Sequence, residues 1–337
     1  MSFPTAEPPR SPAAVVAIVV SYNSARDLPA CLRSLEAQRG VDPKIHVVDN
    51  ASSDGSADLV RRGFPGVRLV VNDVNVGFAR ANNQVLERER APFYALVNPD
   101  AVLPPDALAT CVAYLEEDPA AALVGTRLVR PDGGLEPSCH AFLGLTNLLG
   151  ETLGIHRALP GLRPLTSLHM PWFGHDRRAR VDWIQGTFLV ARGEAVRSIG
   201  GFDPAFFMYG EEMDWCRRMR DAGWSVVFLP GPAVTHVGGA SSDPIAGEMF
   251  VENLRSRIRF VEKHRGRAAA VAARALTTLS VLARLGWSEA VSLGLRLSGR
   301  DPAPARRRHQ ARFRAAIRWV LRGLPLSEAR PADQLRS

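Results

Sequence analysis

Val15-Val16-Ala17-Ile18-Val19-Val20 runs into Ser21-Tyr22-Asn23, Ile45-His46-Val47-Val48 into Asp49-Asn50-Ala51-Ser52, and Phe93-Tyr94-Ala95-Leu96-Val97 into Asn98-Pro99-Asp100. Each is a short, mostly apolar run that breaks into polar residues, the pattern of a strand buried on both faces. Between them lie segments with helical spacing: Leu28 to Ala37, Ala57 to Arg62 and, after a further strand at Val67 to Val71, Phe78 to Arg88. Strand and helix in alternation predict right-handed crossovers and a mainly parallel sheet in an α/β fold. The polar endings then gather at the carboxyl edge of the sheet, where such folds bind ligands.

The rhythm continues with a helix at Ala107 to Glu116 and a strand at Leu123 to Val129, then breaks at the turn Pro131-Asp132-Gly133-Gly134. Residues 138 to 180 mix Gly, Pro, His and Trp and read as loops and short helices, an insertion that adapts a scaffold to its substrate. Val181 to Val190 reads as one strand, Glu211 to Ala222 as a helix and Trp224 to Leu229 as a strand. Beyond Glu248 the pattern is helical and Arg-rich. The expected organisation is a leader at 1–12 too poor in apolar residues to fold, one large unit at 13–247 with halves at 13–130 and 131–247, and a basic helical extension at 248–337.

Charge is divided unevenly along the 337 residues: 1–250 hold 23 Lys+Arg against 28 Asp+Glu, net −5, whereas 251–337 hold 19 against 6, net +13. Cys31, Cys111, Cys139 and Cys216 are scattered at no metal or redox spacing, which predicts free thiols and a cytoplasmic protein. Ala13 to Val20 has only Arg10 before it and Ser21-Tyr22-Asn23 after it, so it reads as a strand rather than a signal-peptide core. The most apolar late run, Ala275 to Leu297, is interrupted by Arg284, Glu289 and Arg296, and predicts no membrane-spanning segment.

Three acidic clusters carry the chemistry. Asp49 at a strand end can accept N–H donors from a base or hydroxyls from a ribose, or it can cap the following loop. Asp100 can supply one of the few protein oxygens that Mg²⁺ or Mn²⁺ needs beside a diphosphate, or cap the helix that Pro104 and Pro105 introduce. Glu211, Glu212 and Asp214 share one helical turn, where mutual repulsion raises carboxylate pKa values and suits one of them to take a proton from a hydroxyl. The plain reading is an acidic first turn, with Asp214 paired to Arg217 or Arg218.

These residues carry a resemblance. Val19-Val20-Ser21-Tyr22-Asn23, Val48 to Ser56, Asn75-Val76-Gly77-Phe78-Ala79-Arg80-Ala81-Asn82-Asn83, Asn98-Pro99-Asp100, Gly200-Gly201-Phe202-Asp203 and Phe207-Met208-Tyr209-Gly210-Glu211-Glu212-Met213-Asp214 occur in the order of the inverting family 2 glycosyltransferases of GT-A fold. The match runs from about residue 14 to 240 and is most similar to the rhamnosyltransferase-like branch. It implies a nucleoside-diphosphate-sugar donor, with dTDP-rhamnose a candidate, a glycan or lipid-linked acceptor, and a divalent cation.

The resemblance also implies roles. Ser21, Tyr22 and Asn23 match the end of the first strand beside the nucleotide, and Asp49 the residue that holds the pyrimidine. Asn75 and Gly77 match the loop shaping the donor pocket. Asp100 matches the last Asp of the Asp-X-Asp metal motif, and Asn98 stands at its first position. Glu212 aligns with the catalytic base of a Glu-Asp pair and reaches about one methylene further, so either Glu211 or Glu212 takes the proton. His236 matches a histidine that completes the metal or diphosphate site. Gly186, in Gln185-Gly186-Thr187, matches a small-residue turn near sugar and acceptor, although it equally suits plain strand packing.

In the extension, Phe313, Ile317, Val320, Leu321 and Leu324 share one helical face while Arg314, Arg318 and Arg322 line another, which predicts peripheral contact with an anionic membrane or a solvated surface. No nucleic-acid module accompanies the arginines, so no nucleic acid is expected. Two rival functions fit the fold: a non-catalytic sugar-nucleotide or glycan binder, which Asp100 and Glu212 argue against, and a nucleotidyltransferase, which would need a Gly-rich basic loop where Ser21 to Leu28 has only Arg26.

Overall fold

The structure, a computed structural model, describes residues 13–238, 246–298 and 304–321; the leader at 1–12 and the chain beyond 321, with Arg322 and Leu324, lie outside them. The first half runs β1 (Ala13–Ser21), α1 (Leu28–Glu36), β2 (Val41–Asp49), α2 (Ser56–Gly63), β3 (Arg68–Val71), α3 (Phe78–Leu86), β4 (Phe93–Val97), β5 (Ala101–Val102), α4 (Ala107–Glu117) and β6 (Ala121–Val129). The second continues with β7 (Leu135–Glu136), β8 (Cys139–His140), α5 (Leu145–Thr152), α6 (Ile155–Ala158), α7 (Arg163–Thr166), β9 (Ala179–Val181), β10 (Trp183–Ile184), β11 (Phe188–Arg192), α8 (Gly193–Ile199), α9 (Glu211–Asp221) and β12 (Ser225–His236). Two long helices close the described chain, α10 (Ala246–Leu297) and α11 (Pro304–Leu321).

The main sheet has the order β3-β2-β1-β4-β11-β6-β12-β5. β1 pairs in parallel with β2 and β4, whereas β11 lies antiparallel between β4 and β6. The sheet is therefore mixed, parallel where the sequence alternates strand and helix. β1 shows why its run is continuously apolar. Val16, Ile18 and Val20 face the core under α3, α8 and α9, while Val15, Ala17 and Val19 face the core under α1, α2 and α4. Both faces are covered, so neither face tolerates a polar side chain. All four cysteines are buried and free.

Val181 to Val190 is not one strand. Its three pieces pair with different partners: β9 with β12, β10 with β8, and β11 with β4 and β6. Asp182 makes the first break, because its carboxylate accepts the Phe142 N–H at 2.9 Å. Gln185 makes the second, because its N–H bonds to the Ser138 carbonyl at 2.9 Å instead of to the sheet.

α10 is two helical halves joined at Gly266, whose φ of 83° and ψ of 171° no helix contains. The expectation that nothing here is long and apolar enough to cross a bilayer is corrected: within Gly247–Leu297 an 18-residue window reaches mean hydropathy 1.4, with only 22% of it buried. Reading from Ala275 missed the alanine-rich turns before it, which belong to the same helix. The amphipathic face expected to meet a membrane on α11 is already occupied. Phe313, Ala316, Ile317, Trp319 and Val320 pack with Leu254, Ile258, Ala270 and Val281 of α10.

The first half of α10 is tied to α9 through Asp214, which is fully buried. Its Oδ1 meets Lys263 Nζ and His264 Nε2, each at 2.8 Å, and its Oδ2 meets Arg218 Nε at 2.9 Å. Burial alone would raise this carboxyl, but the bonds from His264, Lys263 and Arg218 outweigh it and hold Asp214 at about 2. The depressed value contributes on the order of 2 kcal/mol of stability, present above the ordinary carboxylate pKa near 4 and lost as pH falls through about 2. Asp214→Ala leaves its cations uncompensated and should cost about 3 kcal/mol. Denaturant titration at neutral pH and again near pH 2 checks both figures, the mutational penalty shrinking in acid.

Candidate active site

The carboxyl ends of β1, β2 and β4 open onto a cleft of about 310 Å³. Of the residues that the sequence marks, Tyr22, Asn75, Gly77, Asn98, Asp100 and His236 line it. Ser21, Asn23, Asp49, Gly186, Glu211 and Glu212 lie outside that lining. Ser21 and Asp49 sit opposite each other in register at the ends of β1 and β2. Both are buried, and Ser21 Oγ and Asp49 Oδ2 each lack a hydrogen-bond partner, whereas Asp49 Oδ1 accepts the Ser52 N–H at 2.9 Å. A buried carboxylate oxygen left open is an acceptor in wait of a donor. Asn23 works differently: its side chain accepts the Ser53 N–H at 2.8 Å and its own N–H reaches Ser52 Oγ at 2.9 Å, so it fastens one loop to the next.

Asn50 lines the cleft and organises its wall. Its Nδ2 donates to Asn75 Oδ1 at 2.8 Å, and its Oδ1 accepts from Asn72 Nδ2 and the Val76 N–H, both at 3.1 Å. The loop it shapes reaches Gly77, whose φ is +85° and whose missing Cβ would fall 2.5 Å from the Phe207 carbonyl oxygen. Phe78 N–H donates to that same oxygen at 2.8 Å. The 207–210 segment is thus clamped by the donor-side loop, and from its other side by Ser256 Oγ of α10, which donates to the Met208 carbonyl at 3.0 Å. Tyr209, at φ 66°, and Gly210, at φ 83°, then turn the chain into α9.

Asp100 and His236 form the polar end of the cleft. His236 Nε2 lies 3.4 Å from Asp100 Oδ1, and His236 Nδ1 lies 2.9 Å from Glu136 Oε1. Burial opposes charge on this imidazole, but the bonds to Asp100 and Glu136 prevail and raise it to about 9. Glu136 also accepts from Gln185 Nε2 at 3.1 Å, linking this end to the Gln185-Gly186-Thr187 turn. Glu136 carries no motif, and only the β6–β7 hairpin brings it here. Two donor atoms 3.4 Å apart can share one cation with bonds of about 2.1 Å. Among the described residues no group of three or more His, Cys, Asp or Glu could hold a metal. Once His236 Nε2 has given up its proton, the pair can supply two positions to an ion whose others go to phosphate and water.

Glu211 and Glu212 open α9. Burial, and then the neighbouring Glu212, push Glu211 well above the ordinary carboxylate range; burial raises Glu212 too, with backbone groups of Glu212, Gly210 and Gly186 pulling the other way. Each has a buried Oε2 without a partner. They point to different places. A Cβ on Gly186 would lie 3.8 Å from Glu212 Oε1, next to Gln185 in the cleft lining, whereas Glu211 feels the charge of Glu252 on α10. A second cavity of about 140 Å³ shares Tyr209 with the cleft and adds Gly210, Met213, His140 and Trp183, whose rings stack at 4.4 Å.

A doubly covered α/β sheet with a polar cleft at its strand ends has the form of a ligand site at the carboxyl edge of the sheet. Residues 16–163 match the family model Glycosyl transferase family 2, and residues 95–260 match Glycosyl transferase family group 2. The chain belongs to the family 2 glycosyltransferases, is rhamnosyltransferase-like within them, and has the GT-A fold. It is 27% identical over 269 residues to an N-acetylglucosaminyl-diphospho-decaprenol L-rhamnosyltransferase of Mycobacterium tuberculosis, covering 74% of this chain and 84% of that protein. It is 25% identical over 270 residues to rhamnosyltransferase WbbL of Escherichia coli, covering 74% and 94%. Among solved structures, the mannosyltransferase PcManGT from Pyrobaculum calidifontis, in complex with GDP-Man and Mn²⁺, is similar with a TM-score of 0.56 at 18% identity over 96% of this chain and 92% of that one.

Gly77→Ala puts a methyl group against the Phe207 carbonyl and strains a left-handed φ, and should destabilise the fold by about 1–3 kcal/mol. Nucleotide affinity falls with it, and the enlarging change Gly55→Ala, at a position with the same φ sign but open space, separates backbone strain from the clash when both are measured by calorimetry.

Proposed function

We propose that the protein transfers a sugar, with inversion, from a nucleoside-diphosphate donor to a hydroxyl of a lipid-linked glycan, and that the donor is dTDP-rhamnose. The observation that carries this reading is that the Asp100–His236 pair lines the cleft together with Gln185, whose neighbour Gly186 adjoins Glu212. The two curated relatives, each named a rhamnosyltransferase and one acting on a diphospho-decaprenol sugar, support the choice of donor and acceptor.

In this reading Asp49 and Ser21 receive the pyrimidine, Asn75 and Gly77 shape the pocket wall, and Asn98 supports the diphosphate end. Asp100 and His236 hold the cation, and the imidazole in that set favours Mn²⁺ over Mg²⁺. When bound, the cation offsets the charge growing on the departing diphosphate. Glu212 takes the proton of the acceptor hydroxyl while its oxygen attacks the anomeric carbon from the face opposite the diphosphate, and a single displacement inverts the centre. Burial keeps Glu212 a stronger base than an exposed carboxylate, while Glu211, turned toward Glu252, bears the repulsion of the pair. The second cavity beside Tyr209 receives the acceptor, its stacked His140 and Trp183 offering an apolar face to a sugar ring.

Release of nucleoside diphosphate from a panel of nucleotide sugars with Mg²⁺ or Mn²⁺ is the direct test, and dTDP-rhamnose should stand out. Asp100→Ala should abolish cation-dependent donor binding. Glu212→Gln should keep donor binding and lower transfer by about 10²-fold or more, whereas Glu211→Gln should retain far more activity; parent-rate transfer by Glu212→Gln would sink the base assignment. Because burial raises the Glu212 carboxyl, the base is lost as pH falls through that raised value. The acid limb of kcat should accordingly lie above the ordinary carboxylate range.

A further inference from the structure

The half of α10 that follows Gly266 presents an apolar outer side. Large apolar side chains face outward along it: Val271 is 70% exposed, Leu279 56%, Leu282 49%, Trp287 74%, Leu293 59% and Leu297 81%. The intervening exposed positions on that side, Ala275, Ala283, Gly286, Ala290 and Gly294, are apolar as well, and an exposed charge, Arg296, comes in the last turn. On the inward side, polar groups lie among buried Ala270, Ala273 and Val281. Thr277, Ser288 and Ser292 are buried, and Gln310 of α11 donates from Nε2 to the Ser288 carbonyl at 3.2 Å and to Ser292 Oγ at 2.9 Å. A helix of a water-soluble surface instead keeps its apolar side inward and its polar side outward. Spacings of three and four residues keep the outward set on one stripe through seven turns, which is far more than the scattered exposed leucines of ordinary surfaces.

We propose that this stripe is a bilayer-docking surface, lying in the plane of an anionic leaflet with its side chains among the acyl chains. Charge selects the occupant. Residues 251–337 carry 19 Lys+Arg against 6 Asp+Glu, which draws the segment to anionic headgroups and repels a second copy of itself. The helix lies along the surface and does not cross. Its inner side is committed to the protein, with Arg284 bonded to the Glu151 carbonyl at 3.4 Å and Arg274 over the Trp319 ring at 5.6 Å, while at its edge Glu289 meets Arg314 Nη2 at 2.6 Å. Crossing would strip these contacts and carry both arginines into hydrocarbon. α5 packs beside it, Thr152 Oγ1 donating to the Leu276 carbonyl at 3.4 Å, and adds exposed Leu149 and Leu153. Docking by α10 replaces the α11 face that the sequence pattern suggests, because that face is buried against α10. The inference rests on the helix alone and does not depend on the proposed donor or acceptor.

The test is flotation of the full-length protein with vesicles of phosphatidylcholine and of phosphatidylglycerol, alongside Trp287 quenching by brominated acyl chains. The parent should float with the anionic vesicles, and quenching should be absent in Trp287→Phe. Leu279→Glu combined with Leu282→Glu, both at exposed positions, should keep the parent melting temperature and lose vesicle affinity by about tenfold or more. Three results would overturn the proposal: undiminished binding by the double variant, vesicle binding that high salt abolishes and that leaves Trp287 unquenched, or a parent that ignores vesicles and sediments as a dimer dissociated by the double variant. Donor binding measured on the same samples keeps a failure of docking distinct from a failure of the catalytic reading.

Discussion

Two adjacent carboxylates, Glu211 and Glu212, are buried at one helix start with no cation against either unpartnered oxygen. Holding them there costs free energy through desolvation and repulsion, and much of the surrounding structure offsets that cost. The start of α9 supplies backbone N–H groups. The segment before it is gripped through the Phe207 and Met208 carbonyls by Phe78 and Ser256. One turn along, Asp214 collects Arg218, Lys263 and His264, so the acidic cluster divides into a neutralised anchor and an unneutralised pair. That division separates a group that stabilises from the pair in which the proposed base lies.

The same segment joins the two halves of the chain. Donor-side residues come from strand ends in the parallel part of the sheet, where register alone places Ser21 opposite Asp49. Carboxylate-side residues come from the mixed part, where β11 runs against β4. Asn98 N–H bonds to the Thr187 carbonyl at 2.9 Å, so the metal-side turn and the Gln185-Gly186-Thr187 turn are adjacent across that antiparallel pair. Glu136 then ties Gln185 to His236. Each end of the cleft is thereby referred to the other by backbone and side-chain bonds rather than by packing alone.

How much of this the sequence discloses depends on how local the cause is. β4 begins and ends where its apolar run does, since burial on both faces leaves a pattern in every residue. The break of 181–190 into three strands leaves none, because Asp182 and Gln185 stop the strand by bonding to Phe142 and Ser138, distant in the chain. Among site residues, Asp100, His236 and Asn75 announce themselves in polar endings and loops. Glu136 does not, sitting beside a glycine turn with its partner a hundred residues away. Asn50 lies inside a motif that is readable, yet its bonds to Asn72, Asn75 and Val76 show that it builds the wall. The apolar outer side of α10 is invisible in composition, since only the position of α11 decides which side is inner.

The closeness of Gly77 to the Phe207 carbonyl makes the 75–77 loop and the 207–210 segment a matched pair of parts. Neither surface has slack, so a loop transplanted from a relative with another sugar preference would arrive without its seat unless 207–210 travelled with it. Specificity in this scaffold is accordingly inherited in two pieces of chain separated by over a hundred residues, and recombination that cuts between them breaks the fit.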